Sequence, residues 1–423
     1  MAGPLEIAPD DLDLRRFLRR GDGVVWGQGS GEPVVLVDRL IEQCAEIGGL
    51  SGFSGYAYRE VLASAAAEAL DLVSYGALGA LGKVGARRPL RVVPAHFSAL
   101  PRLFAAGAVP GDVAFVQVAP PDAEGNCSLG LDATYLADAI PHARLVIAEV
   151  NERVPPVPGA SLAWERLDVA VRVDADPLEL PPARAGEAEA RIARRIAALV
   201  DDGDTIQVGV GALPEAILRE LRGARELGVH SGMICDPIAD LVEAGVVTGR
   251  RKEADPGLVV TGAALGTSRL FDFLRRSEVV ALRPVSYTHR PDVLARVGRL
   301  VAVNGALEVD LTGQVNAESA GGRYLGAVGG QVDFLRGAAA SGGLAIVALP
   351  ATVARTGASR IVERLGGPVT TSRADVDLVV TEFGVARLRG LDLAQRARAL
   401  TAIAAPEHRE DLDRARSAAS LRP

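Results

Sequence analysis

Short runs of β-branched and other apolar residues, bounded by glycine or proline, alternate with Ala-, Leu- and Arg-rich stretches along most of the chain. The intervening stretches, such as residues 190–200 and 391–403, carry apolar residues at helical spacing. This alternation predicts an α/β fold with largely parallel sheets, because each crossover helix returns the chain to the same end of a sheet. The runs that we predict to be strands are residues 113–118, 145–150, 205–208, 258–260, 344–349 and 378–380.

A proline-rich segment separates the chain into two parts. Residues 177–186 read PLELPPARAG, a composition typical of linkers. We therefore predict an N-terminal domain over residues 1–180 and a C-terminal domain over residues 187–423, both of ordinary domain size.

Each part begins with a similar local pattern. Residues 21–33 read GDGVVWGQGSGEP, and residues 203–214 read GDTIQVGVGALP. In both, a Gly-Asp turn precedes a short strand, a Gly-x-Gly loop and a helix with proline near its start. Unrelated β-turn-α units also look alike. We favour two similar open α/β domains, with a ligand at the carboxyl ends of the strands in a cleft between them.

Charge and cysteine content exclude several classes of protein. With 46 Lys and Arg residues against 53 Asp and Glu residues, the net charge of −7 disfavours binding to nucleic acid. Cys44, Cys127 and Cys235 form no CxxC pair, which disfavours a zinc site and a disulfide framework. No stretch reaches the roughly 18 uncharged apolar residues of a membrane span, and residues 1–13 lack the pattern of a signal peptide. We expect a cytoplasmic protein that does not contact membranes.

Two glycine loops are candidate binding elements. Gly209, Val210 and Gly211 follow a predicted strand, where N–H groups at the start of a helix bind an anion or a developing oxyanion. Residues 326–331 form a second loop before another predicted helix start, although such loops also serve as packing turns. The chain has no P-loop, GxSxG or HExxH motif, and its five histidines are not spaced as metal ligands. We therefore predict no metal and no bound cofactor.

Longer strings in the chain have a specific order and spacing. They are QVAPPDAEGNCSLG at 117–130, VNGALEVDLTGQVNAES at 303–319, GGQVDFLRG at 329–337, ALPAT at 348–352, VTTSRAD at 369–375, TEFG at 381–384 and LRG at 388–390. Through these strings the chain resembles the acetyl-CoA hydrolase/transferase family, which includes acetate and 4-hydroxybutyrate CoA-transferases.

The resemblance implies two α/β domains, a homodimer and an acyl-CoA thioester that is bound as substrate, mostly by the second domain. A small carboxylic acid is the second substrate of the family's transferases. By this resemblance, the residues expected to bind CoA are Gly209, Val210, Gly211, Asn316, Gly329 and Gly330.

The resemblance also implies covalent catalysis by a glutamate. In the family, this carboxylate attacks the acyl-CoA carbonyl, passes through an acyl anhydride and becomes a glutamyl-CoA thioester, which the incoming acid resolves. The glutamate lies in a string like His-Thr-Glu-Met, a few residues before an aspartate. Here residues 227–236 read LGVHSGMICD, so Gly232 occupies the position of the nucleophile. Glycine has no side chain for this step.

Other active-site positions differ from the family as well. His289, within VSYTHRPDV at residues 285–293, replaces an asparagine that donates to the thioester oxygen. Gly330 keeps the glycine whose N–H polarises the carbonyl. A Ser-Lys-Gly-Gly string becomes ASGG at residues 340–343, and a Gly-x-Ser-x-x-His string becomes GASLAW at residues 159–164.

Two functions are consistent with these differences. The first is an enzyme that hydrolyses acyl-CoA, or transfers CoA to a small carboxylic acid, without a glutamyl-CoA intermediate. Water or the acceptor acid then takes the place of the nucleophile at Gly232, Gly330 polarises the carbonyl, and His289 or His230 is the general base. His289 also fits a plain hydrogen-bond donor. The alternative is a catalytically inactive module that binds a CoA ester or partners an active subunit.

Other side chains near the family strings are further candidates for the nucleophile. Asp236, Glu308 and Glu318 belong to the family pattern even when the glutamate is present, which favours structural roles for them. Ser231 has only the adjacent His230 as a base, and neighbouring residues seldom point in the same direction.

Overall fold

Two units make up the chain in this computed structural model, which describes residues 3–418. The first change from one unit to the other falls within residues 177–186, which contain neither helix nor strand. The first unit consists of the chain up to Pro181 together with Gly232–Asp236 and Val259–Arg290. The second consists of Pro182–Ser231, Pro237–Leu258 and the chain from Pro291 onward.

Strands and helices alternate as predicted, and the fold class is α/β with mostly parallel sheets. The predicted strands 113–118 and 205–208 match observed strands residue for residue, because both are buried runs with β-branched residues that begin directly after an aspartate. The strands are β1 (Leu5–Ile7), β2 (Gly23–Trp26), β3 (Ser51–Phe53), β4 (Tyr56–Ala57), β5 (Asp71–Ser74), β6 (Leu78–Gly79), β7 (Arg91–Val92), β8 (Val113–Val118), β9 (Asn126–Ser128), β10 (Leu145–Asn151), β11 (Ser161–Ala163), β12 (Val169–Val173), β13 (Thr205–Val208), β14 (Gly228–Ile234), β15 (Val259–Ala264), β16 (Val280–Leu282), β17 (Leu300–Gly305), β18 (Glu308–Asp310), β19 (Val315–Asn316), β20 (Ser319–Ala320), β21 (Arg323–Tyr324), β22 (Leu344–Ala348), β23 (Ile361–Val362), β24 (Leu378–Thr381) and β25 (Gly384–Arg387).

The first helix, α1 (Val34–Ile47), illustrates how the sequence specifies these elements. Its buried side chains recur at positions 36, 37, 40, 41 and 44, which form one face of a helix. Pro33 precedes its first residue, and Gly48, with φ of 77°, ends it in a conformation that suits glycine. The other helices are α2 (Leu81–Arg87), α3 (Leu100–Ala105), α4 (Thr134–Ala139), α5 (Glu187–Ala197), α6 (Ala212–Glu220), α7 (Asp236–Glu243), α8 (Ser268–Arg275), α9 (Val285–Thr288), α10 (Pro291–Leu294), α11 (Gln331–Ala340), α12 (Leu393–Ile403) and α13 (Pro406–Ala418).

The first unit is built on a parallel sheet with the strand order β1-β12-β10-β8-β2-β3-β5-β7. The chain runs outward from β2 through β3, β5 and β7, and then returns to the other side of β2 with β8. The order therefore reverses between β2 and β8, and the carboxyl ends of strands at such a reversal are the usual ligand site of an open parallel sheet. All residues of β8 are buried, as expected for a central strand covered on both faces.

The second unit repeats this arrangement around β13. Its strands have the order β14-β13-β17-β22-β24-β25. The strands from β14 to β24 pair in parallel, whereas β24 and β25 are antiparallel. The order β14-β13-β17-β22-β24 corresponds to β3-β2-β8-β10-β12 of the first unit. The two Gly-x-Gly loops directly follow β2 and β13, so each lies at the reversal point of its own sheet. The similar local patterns thus mark similar topologies, whereas the cleft expected between the domains stays a prediction.

Candidate functional site

Gly232 lies near the end of strand β14, where it is partly buried. Gly232 and Asp236 do not share a helix, because the strand continues to Ile234 and helix α7 begins at Asp236. The carboxylate of Asp236 accepts hydrogen bonds from the N–H and the hydroxyl of Thr267, at 3.2 and 2.6 Å. These bonds give Asp236 a structural task at the end of the strand.

His230 and Ser231 precede Gly232 on the same strand, and both side chains are buried. The hydroxyl of Ser231 donates to the carbonyl oxygen of Val208 at 2.9 Å. Because its proton is committed to the backbone, Ser231 is poorly placed to act as a nucleophile. His230 is fully buried, so any role as a base requires the substrate to reach it inside the protein.

His289 follows helix α9 and is 2% exposed. Its ring packs edge-on against Phe97, with centroids 5.0 Å apart, and its Nδ1 lies 2.9 Å from the hydroxyl oxygen of Thr288. That hydroxyl donates its own hydrogen to the carbonyl of Pro284 at 3.2 Å. Together the two bonds require Nδ1 of His289 to be the donor. The neutral ring therefore carries its lone pair on Nε2, as a general base needs.

The predicted CoA-binding loop after β13 contains two glycines with different structural needs. Gly211 has φ of 116° and ψ of −175°, a conformation open to glycine alone, and it directly precedes helix α6. Among the described residues, a Cβ on Gly209 would meet nothing within 4 Å. Packing therefore does not explain Gly209, whereas backbone geometry explains Gly211. Val210 lies between them and is partly buried.

The second glycine loop leads into helix α11, which begins at Gln331, one residue earlier than the predicted loop 326–331 allows. Gly330 is the N-terminal cap of this helix, and Gly329 has φ of 55°, in the left-handed region that favours glycine. N–H groups at the start of a helix are the type of donor that binds an oxyanion. The assignment of Gly330 to that task stays a prediction.

Asn316, another predicted CoA ligand, shapes its own turn. Its side-chain amide donates to the carbonyl of Ser319 at 2.7 Å and to Glu308 at 3.3 Å. Its side-chain oxygen accepts from the N–H groups of Glu318 and Ser319. Because these bonds occupy the whole amide, Asn316 keeps the VNAES string folded whether or not it contacts CoA.

The ASGG string at residues 340–343 has a structural explanation in the second unit. Ser341 accepts from the N–H of Leu300 and donates to the carbonyl of Ala338, both at 3.1 Å. A Cβ on Gly343 would overlap the carbonyl oxygen of Leu300, so only glycine fits there. Ser341 therefore closes the end of helix α11.

The sequence did not reveal a buried polar network in the first unit. Gln117, on β8, donates to the carbonyl of Ser30 at 3.0 Å and accepts from Asn151, the last residue of β10, at 3.2 Å. Asp132 accepts from the N–H of Gln28 at 2.8 Å. These side chains gather at the carboxyl ends of β2, β8 and β10. Amide residues at the ends of buried strands were the available signal for Gln28, Gln117 and Asn151.

Residues 3–418 show neither of two features that would indicate a particular class of protein. No helix in this range is long and apolar enough to cross a membrane. The same residues contain no group of three or more His, Cys, Asp or Glu side chains placed to hold a metal ion.

Comparison with known proteins identifies the family. The model described as acetyl-CoA hydrolase/transferase N-terminal domain matches residues 12–176, and the C-terminal domain model of that family matches residues 266–416. Gly232 lies in the interval between these matches.

Individual relatives agree with the family models. The 4-hydroxybutyrate coenzyme A transferase of Clostridium kluyveri is 43% identical over 323 residues, or 75% of each chain. A succinyl-CoA:acetate/propanoyl-CoA:succinate CoA transferase of Fasciola hepatica is 42% identical over 76% of this chain and 69% of its own. The crystal structure of RipA from Yersinia pestis superimposes with a TM-score of 0.91 and 31% identity over 98% of this chain and 97% of its own. The chain therefore belongs to the acetyl-CoA hydrolase/transferase family.

Proposed function

We propose that this protein is an acyl-CoA-utilising enzyme that works without a glutamyl-CoA intermediate. It either hydrolyses the acyl-CoA thioester or transfers CoA to a small carboxylic acid. Water or the acceptor carboxylate attacks the thioester carbonyl directly, and the tetrahedral intermediate expels the CoA thiolate. With water the products are the acid and CoA. With a carboxylate the first product is a mixed anhydride, and the thiolate then attacks the acceptor's carbonyl and expels the donor carboxylate. The homodimer and the cytoplasmic location stay predictions.

The observation that carries this proposal is Gly232, in a chain that is 43% identical to a CoA transferase. A strand residue without a side chain leaves room for an external nucleophile where the family resemblance implies glutamate. The resemblance extends through both predicted domains, which supports a retained acyl-CoA substrate.

His289 is the general base in this proposal. The hydrogen bond from its Nδ1 to Thr288 leaves Nε2 as the basic nitrogen. Nε2 takes the proton of the attacking water and returns it to the departing thiolate, so protons balance over the cycle. A carboxylate acceptor attacks in its ionised form and needs no base. Loss of activity in His289→Ala without an acceptor is therefore specific to hydrolysis.

The competing function is a catalytically inactive module that binds a CoA ester. The burial of both His230 and His289 favours it, because a base that is 0% or 2% exposed needs a closed site around its substrate. Under this alternative His289 is a packing residue against Phe97.

A thiol-release assay with a panel of acyl-CoA esters, each with and without acetate or succinate, separates these functions. Thiol release without acceptor that is lost in His289→Ala supports a hydrolase. Exchange of CoA only with acceptor supports a transferase that lacks the family glutamate. If no ester turns over but calorimetry shows tight CoA binding, the enzyme proposal is wrong and the module is correct.

A further inference from the structure

Asp132 is a fully buried carboxyl group in the first unit, and no part of the proposed mechanism uses it. Its Oδ2 accepts from the N–H of Gln28 at 2.8 Å, and its Oδ1 accepts from the hydroxyl of Thr134 at 2.5 Å. The side-chain amide of Gln28 also donates to the hydroxyl oxygen of Thr134 at 3.1 Å. The three residues therefore form a closed ring of hydrogen bonds that passes through the backbone N–H of Gln28.

This ring holds the glycine loop that follows β2. A Cβ on Gly31 would overlap Cβ of Asp132, so the loop packs directly against the carboxyl-bearing residue. The side-chain oxygen of Gln28 accepts from the hydroxyl of Tyr75 at 3.0 Å, which fixes the far side of the amide. The conformation of residues 27–31 thus depends on Asp132.

On its other side, the ring is connected through Thr134 and Gly262 to Gly232, where the family resemblance implies the nucleophile. A Cβ on Gly262 would lie 2.9 Å from Cγ2 of Thr134 and 2.9 Å from the carbonyl oxygen of Gly232. Gly262 is therefore sandwiched between Thr134 and Gly232, with no room for a side chain. The N–H of Ala133 donates to the carbonyl of Gly262 at 2.9 Å, which ties the segment of Asp132 to the same backbone.

We propose that Asp132 is a positioning residue for the acyl-CoA reaction: its ionised carboxylate holds the loop 27–31 and the backbone beneath Gly232 in one arrangement, which protonation releases. The inference rests on the proposed function. A carboxylate accepts from Gln28 and Thr134 at once, whereas a carboxylic acid must donate from one oxygen. Thr134 then has to turn its own hydroxyl hydrogen away from Asp132 and loses the acceptor that it uses in the ring.

The surroundings place this change near neutral pH. Burial raises the pKa of Asp132 to about 7, although hydrogen bonds from Thr134 and Gln28 act in the opposite direction. Tyr58, Tyr75 and Tyr135 lie near enough for the charge of Asp132 to act on them, and burial raises their pKa values well above the ordinary 10. These phenols stay neutral over the range in which Asp132 titrates.

The test compares thiol release or CoA exchange by the wild type and Asp132→Asn between pH 6 and pH 8. The kcat of the wild type divided by the kcat of Asp132→Asn isolates the effect of ionising Asp132, because every other titrating group, His289 included, is present in both proteins. A carboxyl group with a pKa of about 7 is about one-tenth ionised at pH 6 and about nine-tenths at pH 8, so the ratio is expected to rise about ninefold. KM for acyl-CoA is expected to stay within about twofold.

Two further variants separate positioning from general stability. Thr134→Val keeps the methyl contact with Gly262 but removes a hydrogen bond that lowers the pKa of Asp132, so the midpoint of the profile moves to higher pH. Asp377→Asn is the matched control, since Asp377 is also largely buried with a raised pKa but lies on the approach to β24. The ratio for Asp377→Asn is expected to be flat with pH. A flat ratio for Asp132→Asn would overturn the proposal.

Amide hydrogen exchange tests the positioning role of Asp132 even if no acyl-CoA ester is turned over. Once intrinsic exchange rates are removed, peptides covering residues 27–31 and 232–236 are both expected to be better protected at pH 8 than at pH 6 in the wild type, and equally protected in Asp132→Asn. A response confined to residues 27–31 would contradict the link to Gly232. Absence of turnover with the expected exchange pattern would reject the proposed function and keep the positioning role.

Discussion

The hydroxyl of Thr288 accepts a hydrogen bond from Nδ1 of His289 and donates its own to the carbonyl of Pro284. The imidazole is thereby fixed by its immediate neighbour in sequence, while Phe97 holds the ring from the side. This arrangement selects one neutral tautomer, in which the basic nitrogen is Nε2.

Replacing His289 tests whether it is a base or a donor. His289→Ala is expected to reduce kcat for hydrolysis by about 100-fold or more, the usual contribution of general acid–base catalysis. His289→Asn introduces the residue type that the resemblance to the family implies, and it keeps a donor but no base. Equal activity of His289→Asn and the wild type would mean that His289 only donates. Steady-state kinetics with KM and kcat measured separately makes the distinction.

Gly232→Glu is expected to restore covalent catalysis. Gly232 lies in a strand, where the extended backbone accepts any L-residue, so the substitution is compatible with the local conformation. The variant is expected to form a protein-bound CoA thioester when given acyl-CoA, and mass spectrometry of the intact protein detects the added mass. The wild type serves as the control and should carry no adduct. A CoA adduct on the wild type would show that another residue is the nucleophile.

Gly209 and Gly211 are expected to respond differently to alanine. Gly209→Ala should leave Tm within about 2 °C of the wild type, because a Cβ there meets no described atom within 4 Å. If the loop binds CoA, KM for acyl-CoA rises about tenfold, equivalent to about 1.4 kcal/mol of binding. Gly211→Ala forces an L-residue to φ of 116° and should destabilise the fold by about 1–3 kcal/mol. An unchanged KM in Gly209→Ala would remove this loop from the CoA site.

The stability of the protein is expected to depend on Lys252 at alkaline pH. This lysine is 3% exposed, and its ammonium group donates to the carbonyls of Val229 and Leu258 at 3.1 and 2.9 Å. Burial lowers its pKa from 10.5 to about 8, so between these values the unfolded chain binds a proton that the folded chain has lost. The free energy of unfolding of the wild type relative to Lys252→Met therefore rises with pH by up to about 1.4 kcal/mol per pH unit.

Urea denaturation of the wild type and Lys252→Met from neutral pH to about pH 10 measures this difference. Because buried cysteines and tyrosines are common to both proteins, their titration cancels. A difference that does not change with pH would mean that Lys252 keeps its ordinary pKa in the folded protein.

Much of the fold was predictable because its information is local. The run of β8 is rich in valine, begins after Asp112 and ends just before Ala119 and two prolines, so its limits were correct. Helix α12 was predicted to begin at residue 391 but begins at Leu393, because the side chain of Asp392 caps it through the N–H of Gln395. The strand β14 was harder to recognise, since His230, Ser231 and Gly232 interrupt its apolar pattern.

The candidate site was less predictable because its contacts join distant parts of the chain. Gln28 and Asp132 are 104 residues apart, and no periodic pattern connects them. The position of Gly232 came from the resemblance to a family rather than from any local feature. Asn316 shows that a residue in a family string can also have a structural role. The resemblance implied that it binds CoA, while its side-chain amide forms hydrogen bonds within its own turn.

The first unit is assembled from three separate stretches of chain, the last of which ends at Arg290. During synthesis the ribosome therefore delivers residues up to Pro181 long before this unit has all of its segments. The nascent chain has to maintain a parallel sheet that still lacks Gly232–Asp236 and Val259–Arg290 while more than a hundred further residues are made. For the same reason, a cut at the proline-rich linker does not yield one finished half. The segment at which the sequence predicts a domain boundary is therefore a place where the polypeptide cannot be divided cleanly.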